Sequence, residues 1–363
     1  VGQIAGLTNA TCRGRVRWDP VNGSFVGVSG RDVFRVSATG VFSTLRRFDP
    51  QEGGLADVTG MPSGQTWAAV SGAGVFNTPC HAASAVVSVI AGAPLPVVAS
   101  LPASSNGEGA GLSGPFTVDP DDTIFGVAAG GGTFNAGTIY AVTRRASFTR
   151  LYTFSCGSDG GHPTGLVRTS SGALFGATAV GVGHSGTIFE VARNGALRTH
   201  FVFRQAEDGA TPGPLVAGRN GEVYGWTTAG GVFGGGTAFR VSAAGVFSKL
   251  HDFGPADGPV GVPRNAPVYG ADGQLYGVSF QGSLCSAFPC RSTLFRMSAA
   301  GVITVLQASS QNSYDLLISG MLLAGPDNRV YGTYWNGETF AVTIEGQITR
   351  YPGTVYIQGA AAD

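Results

Sequence analysis

The chain has 363 residues, 22 Lys plus Arg balanced by 22 Asp plus Glu, and a hydrophobic content of 43%. That balance is too apolar for a disordered segment and too neutral for a nucleic-acid binder, which needs a basic excess to neutralise phosphates. Glycine, at 59 of 363 residues, is more than twice its usual share of roughly 7%, and it lies between short apolar runs, as in many strands joined by many turns.

From the start of the chain, Arg13, Arg15 and Arg17 alternate with small and apolar residues, which reads as one solvated strand face. No run of 18 apolar residues follows, so no membrane span is expected. The chain begins at Val1 without a signal peptide, as expected of a mature exported protein. An aromatic anchor, Phe25, opens a series continued by Trp67, Phe125, Phe175, Tyr224, Tyr276 and Tyr331. Nine residues before each stands Val16, Val58, Phe116, Leu166, Leu215, Pro267 or Leu322.

A second pair in each repeat keeps an interval of 11: Phe34 to Leu45, Val87 to Val98, Tyr140 to Leu151, Phe189 to His200, Phe239 to Leu250, Phe295 to Leu306 and Phe340 to Tyr351. The link between the two pairs runs from 9 to 20 residues, and the link between repeats reaches 18. Four anchors per repeat imply four strands, a to d. The constant links, with Asn194-Gly195, Asn220-Gly221 and Asp272-Gly273, are tight hairpins. The variable links are surface loops at the opposite end. The expectation is therefore an all-β protein, a single seven-bladed β-propeller of four-stranded antiparallel blades over residues 1–363. Its blades start near residues 16, 58, 116, 166, 215, 267 and 322.

The best-preserved repeat reads Asp208-Gly-Ala-Thr-Pro-Gly-Pro-Leu, then Gly221-Glu-Val-Tyr-Gly-Trp-Thr, then Ala229-Gly-Gly and Gly236-Thr-Ala-Phe-Arg-Val. It resembles the bacterial GloVer-type tandem repeat, with its best match over residues 109–253. The resemblance implies a repeat architecture and an exported or surface-anchored bacterial protein. It brings no catalytic residues with it.

Chemistry is expected on the face of the variable loops, where polar groups converge near the channel mouth. His162 and His184 both belong to the fourth repeat. With Tyr314 or Tyr334 assisting, either could abstract the proton α to a uronate carboxylate; the blander reading is a loop histidine bonded to a turn. Arg31, His81, Phe134, Arg204, Trp226 and Trp335 are the candidate binding residues. Phe134 and Phe233 are among several loop aromatics that suit sugar stacking, although loop aromatics also pack blades. Asp159, Asp208 and Asp257 precede glycine at one repeat position and read as turn formers. Asp119, Asp121 and Asp122 lie in a tight turn on the other face and read as a solvated turn before a calcium site.

Five cysteines stand at 12, 80, 156, 285 and 290. None has zinc-ribbon spacing, and Cys285 with Cys290 could close a small disulfide loop around Ser-Ala-Phe-Pro. The glycine run Gly230 to Gly236 precedes a strand, so it lacks the helix N-terminus that a phosphate site needs. No cofactor and no metal site is expected. The sequence thus favours a secreted or cell-surface binding or assembly module whose partner is a polysaccharide or another surface protein. Self-assembly is compatible with its neutral charge. The alternative is a polysaccharide lyase.

Overall fold

The computed structural model describes residues 11–13, 16–29, 32–37, 41–48, 54–71, 84–89, 97–101, 110–145, 147–181, 183, 185–257, 259–263, 266–281, 291–309, 318–334, 338–351 and 356–358. Among them the chain is all-β, with one helical turn at Gln205–Asp208 and a 3-10 turn at Pro255–Asp257. The described residues form five four-stranded and two five-stranded antiparallel sheets, plus one parallel pair of short strands.

In chain order, the first sheet is Val16–Asp19, Ser24–Ser29, Asp32–Ser37 and Phe42–Arg47. The second is Gly54–Gly60, Thr66–Ser71, Ser84–Val89 and Val97–Leu101. The third runs through Ala110–Val118, Ile124–Gly130, Thr138–Val142 and Phe148–Thr153. The fourth has Gly161–Arg168, Leu174–Val180, Thr187–Val191 and Leu197–Val202. In the fifth, strands b to d are Val223–Ala229, Thr237–Val241 and Phe247–Asp252. In the sixth they are Leu275–Gln281, Arg291–Met297 and Ile303–Ala308. The last is Ile318–Ala324, Val330–Tyr334, Thr339–Val342 and Ile348–Tyr351.

The fifth strand of the larger sheets is strand a broken in two. Ala210–Pro212 and Val216–Ala217 share one partner, as do Val262–Pro263 and Val268–Tyr269. Proline cannot donate to a ladder, so an edge strand is where such a break is tolerated.

The arrangement is that of a β-propeller. Strands a of successive sheets touch one another and so form the inner edge, whereas strands d are largely half-buried or exposed. Six apolar clusters each join two consecutive sheets. One contains Phe175, Ala177 and Ile188 of the fourth sheet with Leu215, Val223, Phe239 and Val241 of the fifth. Another joins Tyr276, Val278 and Leu294 of the sixth to Val330, Phe340 and Val342 of the last. Each such side chain contributes roughly 1.5–3 kcal/mol on burial, so the core lies between sheets.

The register accounts for the two constant intervals. From the second sheet on, each aromatic anchor occupies one ladder position: Phe175 faces Val167 and Glu190, and Tyr224 faces Val216 and Arg240, whereas Phe25 is shifted by one residue and pairs with Trp18 and Val36. The glycine after the anchor faces the aromatic residue of strand c, as in Gly225 opposite Phe239. A Cβ on Gly225 would sit 2.6 Å from the Phe239 ring, so the ring occupies the space that glycine leaves. The last anchor of the repeat is a bulge residue. Ile188 pairs with Phe201 and Phe189 with Thr199, which leaves His200 out of the ladder. Leu45, Leu151, Leu250 and Leu306 are skipped in the same way. A hairpin plus one bulge therefore explains why the interval is 11 in these repeats.

Both ends of the chain meet at the seam. Thr11–Arg13 pairs in parallel with Tyr356–Gln358. The first strand lies against strand b of the first sheet, and its partner lies against strands a and b of the last.

Candidate functional site

The variable loops lie at the end of the sheets opposite the a–b and c–d hairpins, and the d–a loops that follow the third, fourth and fifth sheets share one build. Each d–a loop there is fastened by the aspartate of its Asp-Gly pair. Asp159 accepts hydrogen bonds from the Ser155 backbone N–H at 2.9 Å and the Tyr152 hydroxyl at 3.1 Å. Asp208 accepts from the Arg204 side chain at 2.8 Å. Asp257 accepts from the Gly254 N–H at 2.9 Å and from His251 Nε2 at 2.9 Å to each oxygen. Burial, then the Asp159 charge, holds the Tyr152 phenol above its ordinary range.

The glycine that follows lets the loop press against a threonine pair. Gly209 has φ +93°, and a Cβ there would lie 2.1 Å from Thr227 Oγ1. Thr237 Oγ1 donates to the Asp208 carbonyl at 2.6 Å and lies 3.1 Å from Thr227 Oγ1. Thr178, Thr187 and the Asp159 carbonyl repeat this arrangement one sheet earlier. The Asp-Gly and Gly-Thr elements of the repeat are thus one rigid joint between the d–a and b–c loops.

Above that frame, the b–c loop tips are apolar and open. Phe134 is 63% exposed, Val232 66% and Phe233 57%. Phe134 and Phe233 each stand four residues ahead of the strand c threonine, Thr138 and Thr237. Phe233 packs against Gly254 of the neighbouring d–a loop. Lys249 Nζ pairs with Asp252 at 2.7 Å, and Asp252 accepts the Val232 N–H at 3.0 Å.

The residues expected to form a site are distributed differently. His162 is exposed, but its Nδ1–H donates to the Ala129 carbonyl at 2.8 Å and its backbone N–H to Ala136 at 2.7 Å. It therefore leans on the third sheet rather than on the b–c loop of its own. Its positive φ of 52° is shared by Thr211, φ 55°, at the equivalent pre-proline position, so the strain belongs to the repeat.

Arg204 is ion-paired to Glu207 at 2.7 Å and Asp208 at 2.8 Å, which makes it part of the loop frame. Trp226 is 1% exposed and packs among Phe253 and Phe295, a correction to its reading as a binding residue. Strand b is covered on both faces by neighbouring sheets, so a residue two positions past the anchor is interior. Tyr334 is corrected likewise. It is 1% exposed, donates to Gln307 Oε1 at 2.8 Å, and packs in the cluster between the sixth and last sheets rather than on the loop face. His184, Tyr314, Arg31, His81, Trp335, Cys285 and Cys290 lie outside the described residues. Cys156 is a free, exposed thiol.

On the hairpin face, the three aspartates are met by arginines. Asp119 pairs with Arg168 at 2.5 Å and with Arg193, Asp121 with Arg193 at 3.0 Å, and Asp122 with Arg144 at 3.7 Å. No group of three or more potential metal ligands occurs among the described residues. Sequence reasoning missed Lys249, Asp252 and Gly254. Their signal was present in the Lys-Leu-His-Asp-Phe-Gly run, which ends one strand and opens a loop.

Fold and loop frame define a β-propeller repeat protein. The model of the Gloeobacter/Verrucomicrobia repeat matches residues 103–346, more than half of the chain, and the protein belongs to that family. No curated protein matches it in sequence. Among solved structures it is similar to puromycin hydrolase, with 13% identity, a TM-score of 0.55, and coverage of 92% of this chain and 51% of that one. It is also similar to Porphyromonas gingivalis dipeptidyl peptidase 4, with 10% identity, a TM-score of 0.50, and coverage of 95% and 53%. The chain spans about half the length of these structures, and at such identity the likeness concerns the fold alone.

Proposed function

We propose that this protein is a secreted or cell-surface binding module, a single ring of seven equivalent blades whose variable-loop face holds a polysaccharide. The blade count is supported by the five four-stranded and two five-stranded sheets. The observation that carries the function is the pairing of a fastened loop frame with exposed apolar tips. Asp159, Asp208 and Asp257 tie down the d–a loops, while Phe134, Val232 and Phe233 stand open above them. A pre-formed scaffold lowers the ordering cost of binding, and exposed aromatic surface supplies contact area.

Co-sedimentation with a panel of neutral and acidic polysaccharides tests this reading, with unsaturated-product absorbance followed in parallel. Binding without turnover is expected. Turnover of a uronate polymer that is lost in His162→Ala would replace the binding module with a lyase.

A further inference from the structure

The loop tip of the fifth sheet has the makings of a defined sugar subsite. Phe233 is held on one side by Gly254, where a Cβ would fall 2.4 Å from ring atom Cδ2 and 2.6 Å from Cγ. Only glycine at 254 admits this contact, and 57% of the phenylalanine still faces solvent. The ring is therefore an ordered platform rather than a loose side chain. A carboxylate stands on either side of Gly254 in the chain: Asp252 accepts the N–H of Val232, and Asp257 accepts the N–H of Gly254.

Charge decides the kind of ligand. Among the described residues of the loops around the platform, the lysine and the arginine already have carboxylate partners: Lys249 with Asp252 at 2.7 Å, and Arg204 with Glu207 and Asp208. A uronate or sulfated sugar would bring an anion toward Asp252, and neither Lys249 nor Arg204 is free of a carboxylate to receive it. A neutral pyranose would lay its C–H face on the ring and donate a hydroxyl hydrogen bond to Asp252, whose side chain is 18% exposed.

We infer that Phe233, seated on Gly254 with Asp252 holding the neighbouring Val232 N–H, is the stacking platform of a subsite for neutral pyranose chains. This rests on the loop-face reading above and names its ligand class.

Calorimetric titration with cellohexaose, laminarihexaose, xylohexaose and hexagalacturonate tests it, on wild type, Phe233→Ala, Phe233→Trp and Gly254→Ala. At least one neutral hexaose should bind the wild type. Phe233→Ala should weaken that binding by about tenfold, the size of one aromatic contact. Phe233→Trp should retain it, and Gly254→Ala should weaken it by displacing the ring. Hexagalacturonate should bind less tightly at low salt. Unfolding curves of the variants establish that the fold is kept, because Phe233 is exposed. Neutral binding that is unchanged in Phe233→Ala overturns the inference. Hexagalacturonate binding without neutral binding overturns it as well, while leaving a loop-face binding module. Failure of every sugar, neutral and acidic, overturns both.

Discussion

His200 Nε2 lies 2.9 Å from Glu190 Oε2, and the imidazole stacks on Phe175 with ring centroids 5.4 Å apart. His200 is the bulge residue of its sheet, at a position that Leu45, Leu151, Leu250 and Leu306 fill elsewhere. The side chain is only 3% exposed, and it abuts Gly245 in the hairpin of the next sheet. One joint of the ring thus uses a buried histidine bonded to a half-exposed glutamate where its counterparts use leucine.

Removing the carboxylate leaves the imidazole buried without that bond. Glu190→Ala should cost about 1–3 kcal/mol, the range for orphaning a buried polar group. His200→Leu with Glu190→Gln should recover most of that, because leucine suits the position in other repeats. Urea denaturation of the three proteins measures it.

Glycine at 209 is required by space as well as by φ. Gly209→Ala would place a Cβ 2.1 Å from Thr227 Oγ1 at φ +93°. It should lose the roughly 1–2 kcal/mol of a left-handed residue plus another 1–3 kcal/mol of overpacking. Gly234, at φ +74° with nothing within 4 Å of its virtual Cβ, is the control. Gly234→Ala should show the smaller loss alone in thermal unfolding.

Loss of one hydroxyl tests the loop joint. Thr237→Val keeps the volume but removes the donor to the Asp208 carbonyl at 2.6 Å. A loss of about 1–3 kcal/mol is expected, accompanied by faster amide exchange across the 203–209 loop.

Alkaline unfolding should follow the tyrosine anchors. Burial, then the hydrogen bond to Asp272, pushes the Tyr276 phenol up to about 12, and burial with Asp327 does the same to Tyr331. A raised folded-state value means that the neutral phenol is favoured in the fold. This stabilisation is complete below the ordinary value of 10 and disappears as pH rises toward 12. Phenolate absorbance should show late-titrating tyrosines in wild type. Tyr276→Phe and Tyr331→Phe should each flatten the fall in stability over that window.

The strand pattern was legible because the repeat is a constraint on geometry. A glycine must stand opposite the strand c aromatic, as Gly225 does opposite Phe239, and a hairpin with one bulge always spans the same interval. Side-chain roles on the loops were less legible. Trp226 looked like a departure toward function because the equivalent position elsewhere is small, yet strand b is covered on both faces, and the indole fills space between sheets. Tyr334 was misplaced for the same reason, lying in the cluster of the sixth and last sheets. His162 was expected in the loop entering the fourth repeat but is the second residue of the strand Gly161–Arg168, and sequence alone could not show that its ring reaches back to Ala129 of the preceding sheet. Spacing encodes ladders. It does not encode which neighbour a loop side chain leans on.

The most direct test of the loop-face account compares two double variants in co-sedimentation with the polysaccharide panel. Phe134→Ser with Phe233→Ser alters the loop tips, and Val41→Ser with Val246→Ser alters residues that are 64% and 61% exposed on the hairpin face. The account predicts that the first pair abolishes binding and the second leaves it intact. Binding that survives the loop-tip pair, or disappears with the hairpin pair, would contradict it.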